Sequence, residues 1–312
     1  SLSLYDGSTL VGGPVSVSGT DADFSGMNFV VPKDASKTLT VKGTLNTVGP
    51  SGAASGLDLA VTLCDGATLA APCNTTSTPV GTFEVRGTSA GSSTNLTTHA
   101  GGNLAGRQKV IRRTKLTITP VALPTLSLND GTVVLSRFTV SADAADQVAL
   151  KKITFNVTKA AAALVNTSNN LREVGQGVNI PSTATNTGCA AASTACVIEL
   201  LLTNEQVVAA GTSKTYELVA AVSATAASTS MSTVIPTDAA LVTGELNTLG
   251  IQSFNPVVAD TNYNFLWSDN SAIPHNDTVG GTAGDDTTAS NDWTNGRHVK
   301  LLPTDAQTLT RS

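Results

Sequence analysis

Apolar and polar residues alternate in short bursts along this chain, and turn-forming residues break the bursts at intervals of about 8–12 residues, the spacing of consecutive strands. Leu2–Tyr5 runs into Asp6-Gly7, and Val15-Ser16-Val17 into Gly19-Thr20-Asp21. Phe24–Val31 is closed by Pro32-Lys33-Asp34. Between Lys37 and Leu45 the alternation is clean: Leu39, Val41 and Leu45 share one face, with Thr and Lys opposite. The period of two returns at Leu57–Leu63, Thr82–Arg86 and Lys109–Thr119. Later in the chain it recurs at Val133–Ala142, Leu150–Val157, Cys196–Thr203, Lys214–Ala224, Ser232–Val242 and Asn264–Trp267. Lys159–Leu164 is too short a run to separate a helical turn from a loop.

Two of these stretches match each other. Ser36–Leu45 (SKTLTVKGTL) reads like Ser213–Val222 (SKTYELVAAV), an offset of 177 residues (213 − 36). At the same offset Phe24 falls on Leu201, Val30 on Val207 and Val31 on Val208. Leu4–Val11 likewise parallels Leu171–Ile180. So long a period means duplicated domains; solenoid repeats run about 20–50 residues. The second copy has apolar runs upstream of its match, at Leu126–Ala142 and Ala149–Val157. The first copy has none, so its fold is expected to lack its opening strands. The expectation is an all-β chain of two tandem immunoglobulin-like β-sandwich domains with Greek-key connections. The incomplete first sandwich spans 1–119, a rigid linker 120–124, the second sandwich 125–268 and an irregular C-terminal tail 269–312.

Composition supports the β reading. Of 312 residues, 40% are apolar, 13% charged and 4% aromatic, and the formal charge is −5. Disorder requires fewer apolar residues and more net charge. The mild acidity (pI about 5.1) argues against nucleic acid as a partner. Arg107, Lys109, Arg112, Arg113 and Lys115 form one basic cluster, interleaved with Val110, Ile111 and Leu116, that reads as the solvated face of a single strand. No apolar run reaches the ~18 residues needed to span a membrane. Ser1 reads either as a processed end or as the start of a fragment of a longer polypeptide. The four cysteines form two close pairs, Cys64 with Cys73 and Cys189 with Cys196, each bracketing a loop-like stretch. Two local disulfides and an oxidising compartment outside the cytoplasm are expected, with buried free thiols as the alternative.

Three groups of residues carry a family likeness. They are Leu4–Val11 (LYDGSTLV), Asn28–Val41 (NFVVPKDASKTLTV), and the tail elements Phe265–Ala272 (FLWSDNSA), Asp292–Gly296 (DWTNG) and Leu302-Pro303-Thr304. Together they make the chain resemble the β-sandwich modules of long bacterial surface proteins, of the kind abundant in candidate-phyla-radiation (Patescibacteria) genomes. The resemblance implies an exported surface-layer or filament protein and carries over no catalytic residues.

Candidate chemistry is sparse. His99, His275 and His298 lie in polar, turn-rich stretches, and no nucleophile elbow, P-loop or HExxH is present. No enzyme activity and no cofactor are expected. Gly280–Asp286 has the composition of a calcium loop, with Asp285 and Asp286 as ligands, but not the repeat such loops use. Trp267 and Trp293, flanked by Asp269, Asn270, Asp292 and Asn295, read as core residues or as a sugar platform. Glycosylation sequons occur at Asn74, Asn95, Asn156, Asn166 and Asn276.

An incomplete sandwich leaves a groove and an unpaired edge that another strand fills. The expected function is therefore an extracellular or cell-surface structural subunit that joins copies of itself head-to-tail by donor-strand complementation. Its accepting surface would be Leu4, Val15, Val17, Phe24, Leu39 and Val41, and its C-terminal tail the nearest donor. The rival reading is an adhesin or glycan-binding module of a longer surface protein.

Overall fold

The computed structural model describes residues 1–19, 21–27, 29–49, 52–53, 55–56, 58–63, 104–106, 109–160, 162–165, 168–190, 193–224, 228–238, 263–271, 275 and 292–311. It is all-β, built of several antiparallel sheets, and it divides into two compact units.

Unit 1 comprises Ser1–Thr47 and Asp58–Val110. Strands β1 (Leu2–Asp6), β2 (Thr9–Val15) and β3 (Leu39–Gly43) form a sheet in the order β2-β1-β3. Gly7-Ser8 makes the tight turn between β1 and β2, with Gly7 at φ +60°, a region that costs a residue without a Cβ nothing. The short strands β4 (Asp58–Leu59) and β5 (Thr62–Leu63) pair with β7 (Lys109–Val110) and β6 (Leu104–Ala105), respectively.

Unit 2 comprises Val48–Leu57 and Ile111–Ser312. Its first strands are β8 (Leu116–Pro120), β9 (Gly131–Ala142), β10 (Val148–Ala160), β11 (Ala162–Leu164), β12 (Asn170–Glu173), β13 (Asn179–Ile180) and β14 (Ser182–Thr187). There follow β15 (Ala195–Val208), β16 (Ser213–Ala224), β17 (Ser230–Val234), β18 (Phe265–Ser268), β19 (Trp293–Asn295) and β20 (Gln307–Thr310). One sheet runs β13-β12-β16-β9-β8, with β11 also on β16. The other runs β14-β15-β10-β17-β20, with β18 on β10 and β19 on β18. Alternate residues of the two sheets meet in one core. Phe138 of β9 lies 5.9 Å, ring to ring, from both Phe155 of β10 and Tyr216 of β16, and Leu150, Ile153, Ile198, Leu200 and Leu218 are wholly buried around them. Unit 2 is thus two sheets packed face to face.

The expected boundaries need correcting. Leu116–Pro120 does not close the first unit: it pairs with β9, Pro120 opposite Phe138, so part of the supposed linker is a strand of unit 2. Leu116 and Ile118 belong to the core of unit 2, which draws the strand there. The basic stretch is not one solvated strand either. Beyond Lys109–Val110 the chain leaves the sheet, and Arg113 is half-buried among the carboxylates and carbonyls that neutralise it: Asp146 at 2.5 Å and the Asn270 carbonyl at 3.1 Å. Lys159 and Ala160 end β10 and Ala162–Leu164 form a further strand, so these residues are neither helical turn nor loop. The C-terminal segment is less irregular than expected. β20 pairs with β17, and its other edge is capped by Leu126 and Leu128 through 2.9 Å hydrogen bonds to Thr310. Lys300 likewise bridges β8 at Thr117, its carbonyl accepting from the Ile118 amide.

Candidate assembly surface

The six residues expected to form an accepting surface all lie in unit 1. β1 and β3 pair in register, Leu4 opposite Val41 and Asp6 opposite Leu39, which puts these four side chains on one face. On the far side of β1, Leu4 faces Gly12 and Leu2 faces Val15. Gly12 makes room there: a Cβ at this position would sit 3.2 Å from the Met27 sulfur and 3.3 Å from the Phe24 ring. Leu4, Val15 and Phe24 are accordingly half-covered, while Val17 is exposed. Cover runs out at β3, all five of whose residues are exposed, with Leu39 at 37% and Val41 at 43%. The opposite face carries Ser3, Tyr5, Thr40 and Lys42, with the Lys42 ammonium 4.1 Å from the centre of the Tyr5 ring, while Asp6, on the face of Leu4, pairs with Lys37 at 2.9 Å. Among the described residues, none of unit 1 is buried, and Leu10, Val30, Val31 and Leu45 are exposed, as are Leu39 and Val41.

The sheet of unit 1 can be laid on that of unit 2. The sequence match puts Leu39, Thr40 and Val41 on Tyr216, Glu217 and Leu218. In unit 1 these pair with Asp6, Tyr5 and Leu4; in unit 2 they pair with Glu173, Arg172 and Leu171, in the same direction and register. Each inner strand then turns into an outer one, β2 or β13. The order β2-β1-β3 therefore reproduces β13-β12-β16. In unit 2, β16 continues into β9, with Leu218 opposite Ser136 and Tyr216 opposite Phe138. Among the described residues nothing lies on β3 at the corresponding edge. The outer part of the sequence match does not carry over: the described residues of 24–31 form no strand, whereas Leu201–Val208 belongs to β15.

The remaining candidates lie in unit 2 or outside the described residues. Cys189 and Cys196 are joined in a disulfide that closes the loop between β14 and β15. Cys64, Cys73, His99, Asp285 and Asp286 lie outside the described residues, as do Asn74, Asn95, Asn166 and Asn276; Asn156 is exposed on β10. Trp267 and Trp293 are 3% and 4% exposed, which removes them as an open sugar platform. The Trp267 indole N–H donates to the Asn295 carbonyl at 3.0 Å.

Sequence reading missed a set of buried carboxylates that hold the C-terminal segment on unit 2. Asp269 accepts from the Ser55 hydroxyl, the Arg113 amide and the Ser271 hydroxyl at 2.6–2.7 Å. Asp238 accepts from the backbone amides of Asn264, Phe265 and Gly296. Burial pushes the Asp238 carboxyl above the usual range, against the pull of those amides. His275 reaches Asp292 through Nδ1 at 2.9 Å and Glu205 of β15 through Nε2 at 2.7 Å, with its ring 5.4 Å from that of Trp293. Burial lowers its pKa, but the hydrogen bonds and charges of the two carboxylates outweigh that and raise it to about 10. With both nitrogens protonated and both held, the ring is a clip between β15 and the Asp292 segment. The only signal in the sequence was the acidic flanks of the two tryptophans.

A scan against protein-family models matches none, and a search of curated proteins finds no match.

Proposed function

We propose that this chain is an extracellular structural subunit that assembles head-to-tail, a neighbouring copy completing unit 1 with a strand. The observation that carries this reading is the exposure of β3: among the described residues only β1 pairs with it, whereas the sheet of unit 2 continues from β16 into β9, and Tyr216 and Leu218 are fully buried where Leu39 and Val41 are open. An apolar strand with a free edge invites pairing by its backbone and burial by its side chains. Burial of Leu39, Val41 and Leu45 on assembly would contribute about 1.5–3 kcal/mol each at most. A contact that joins unlike surfaces propagates into a filament unless it closes as a ring.

Each unit is read as an immunoglobulin-like module with Greek-key connections, and the whole as a surface-layer or filament protein like the bacterial modules it resembles. The Cys189–Cys196 disulfide fits an oxidising, extracellular setting. No helix among the described residues is long and apolar enough to cross a membrane. β20 pairs with β17 on one edge and with Leu126–Leu128 on the other, so this strand is not free to act as the donor.

Light scattering and electron microscopy of the purified chain test the reading. The expected result is concentration-dependent polymers that Val41→Lys reduces to monomers. A wild-type chain that stays monomeric at about 100 µM, well above the ~1 µM midpoint of an 8 kcal/mol contact, overturns it.

A further inference from the structure

We propose that the outer edge of β3 receives one kind of occupant: an extended strand patterned like β9, antiparallel to β3 and in the register that β9 holds on β16. It rests on the assembly reading only for the strand's origin in a second copy of the chain.

The molecule holds its own template for this edge. β1 and β12 bear the same register to β3 and β16, and both lead into an outer strand on the side away from the matched edge. What one unit places on that edge is then a template for what the other accepts. In unit 2 it is β9, GTVVLSRFTVSA, with Phe138 opposite Tyr216, Arg137 opposite Glu217 and Ser136 opposite Leu218. Transferred to unit 1, a Phe138-like side chain stands opposite Leu39, an Arg137-like one opposite Thr40 and a Ser136-like one opposite Val41. The pairing makes chemical sense. Residues opposite one another share a face, so the aromatic ring meets the exposed Leu39, and the small serine leaves Val41 room beside it. The cation lands on the polar face, where unit 1 has Thr40 and no counterpart of Glu217. The donor therefore need not be charged at that position, but it must be apolar on the other face, as β9 is at Phe138 and Val140.

A soluble peptide of residues 131–142 with a lysine tag, added to the full chain, is the probe. Hydrogen exchange across 39–43 and the anisotropy of a labelled peptide are the readouts. Saturable binding is expected, with exchange of the β3 amides directed away from β1 slowed at least tenfold. Phe138→Lys in the peptide, or Val41→Lys in the exposed strand of the chain, should weaken binding at least tenfold. Equal exchange with the 131–142 peptide and with a scrambled one overturns the inference. So does a chain that polymerises while the peptide neither binds nor competes, which leaves assembly standing through another surface. Protection of β3 in a chain that stays monomeric supports the edge assignment and removes the assembly reading.

Discussion

Unit 1 and unit 2 carry the same three-strand motif and give it different surroundings. In unit 2 the motif lies inside a larger sheet, backed by a second sheet, and Leu171, Tyr216 and Leu218 are fully buried. In unit 1 the matched Leu4 is half-covered, and Leu39 and Val41 are open to solvent. Strand formation is thus written locally, in the alternation of apolar and polar residues, whereas burial is decided by what lies next to the strand. Unit 2 also covers one edge of each of its sheets, with Lys300 on β8 and Leu126–Leu128 on β20. Those covers take up backbone groups that would otherwise be open to another strand.

The largest test of this contrast is a pair of matched truncations. Leu218→Ala should cost about 3–5 kcal/mol, because it opens a cavity in a core with no exposed side. Val41→Ala, at the matched position, should cost well under about 1 kcal/mol in the unassembled chain. Urea unfolding of both variants measures this, and equal losses would mean that Val41 is buried as deeply as Leu218.

The His275 clip should have the next largest effect, and it sharpens the comparison by asking how firmly unit 2 holds its own C-terminal segment. The folded chain binds the imidazole proton more tightly than the unfolded one does. The clip is therefore fully present below about pH 6.5 and fades as the pH rises through about 10. His275→Gln should lose roughly 2–4 kcal/mol at pH 6 and much less at pH 10. Urea midpoints of wild type and variant across that range test it; a difference that does not change with pH would assign the clip no charge.

Much of the strand content was legible from the period of two, and the repeat marked Leu4–Val11 and Ser36–Leu45 as counterparts of Leu171–Ile180 and Ser213–Val222, but not that the two pair with each other. The boundary at 119 was not legible. Leu116–Pro120 alternates as well as any strand, and nothing local says that its partner is β9 rather than β7. The accepting residues could be named as apolar positions, but their degree of cover depends on Phe24 and Met27 folding over Gly12, a contact without a periodic signal. The carboxylate clips were hidden for a similar reason. Glu205 and His275 are 70 residues apart, and Asp238 and Gly296 are 58 apart, so only the folded chain brings them together.

The smallest expected effect lies at the position that Leu39 matches. Tyr216 buries its ring against Phe138, yet its hydroxyl has no hydrogen-bond partner among the described residues, and burial raises its pKa far above the ordinary tyrosine value. A buried hydroxyl without a partner forfeits its hydration and gains nothing in return. Tyr216→Phe keeps the ring and removes the penalty, so it should leave stability unchanged or raise it by up to about 1 kcal/mol. Loss of more than about 1 kcal/mol on urea unfolding would mean that the hydroxyl is satisfied in solution. The outcome bears on unit 1 because an aliphatic Leu39 does the same job at the matched position without a polar atom to satisfy. If Tyr216→Phe is tolerated, what the motif requires at this point is apolar bulk on the covered face, and an incoming strand need only supply the apolar surface opposite it.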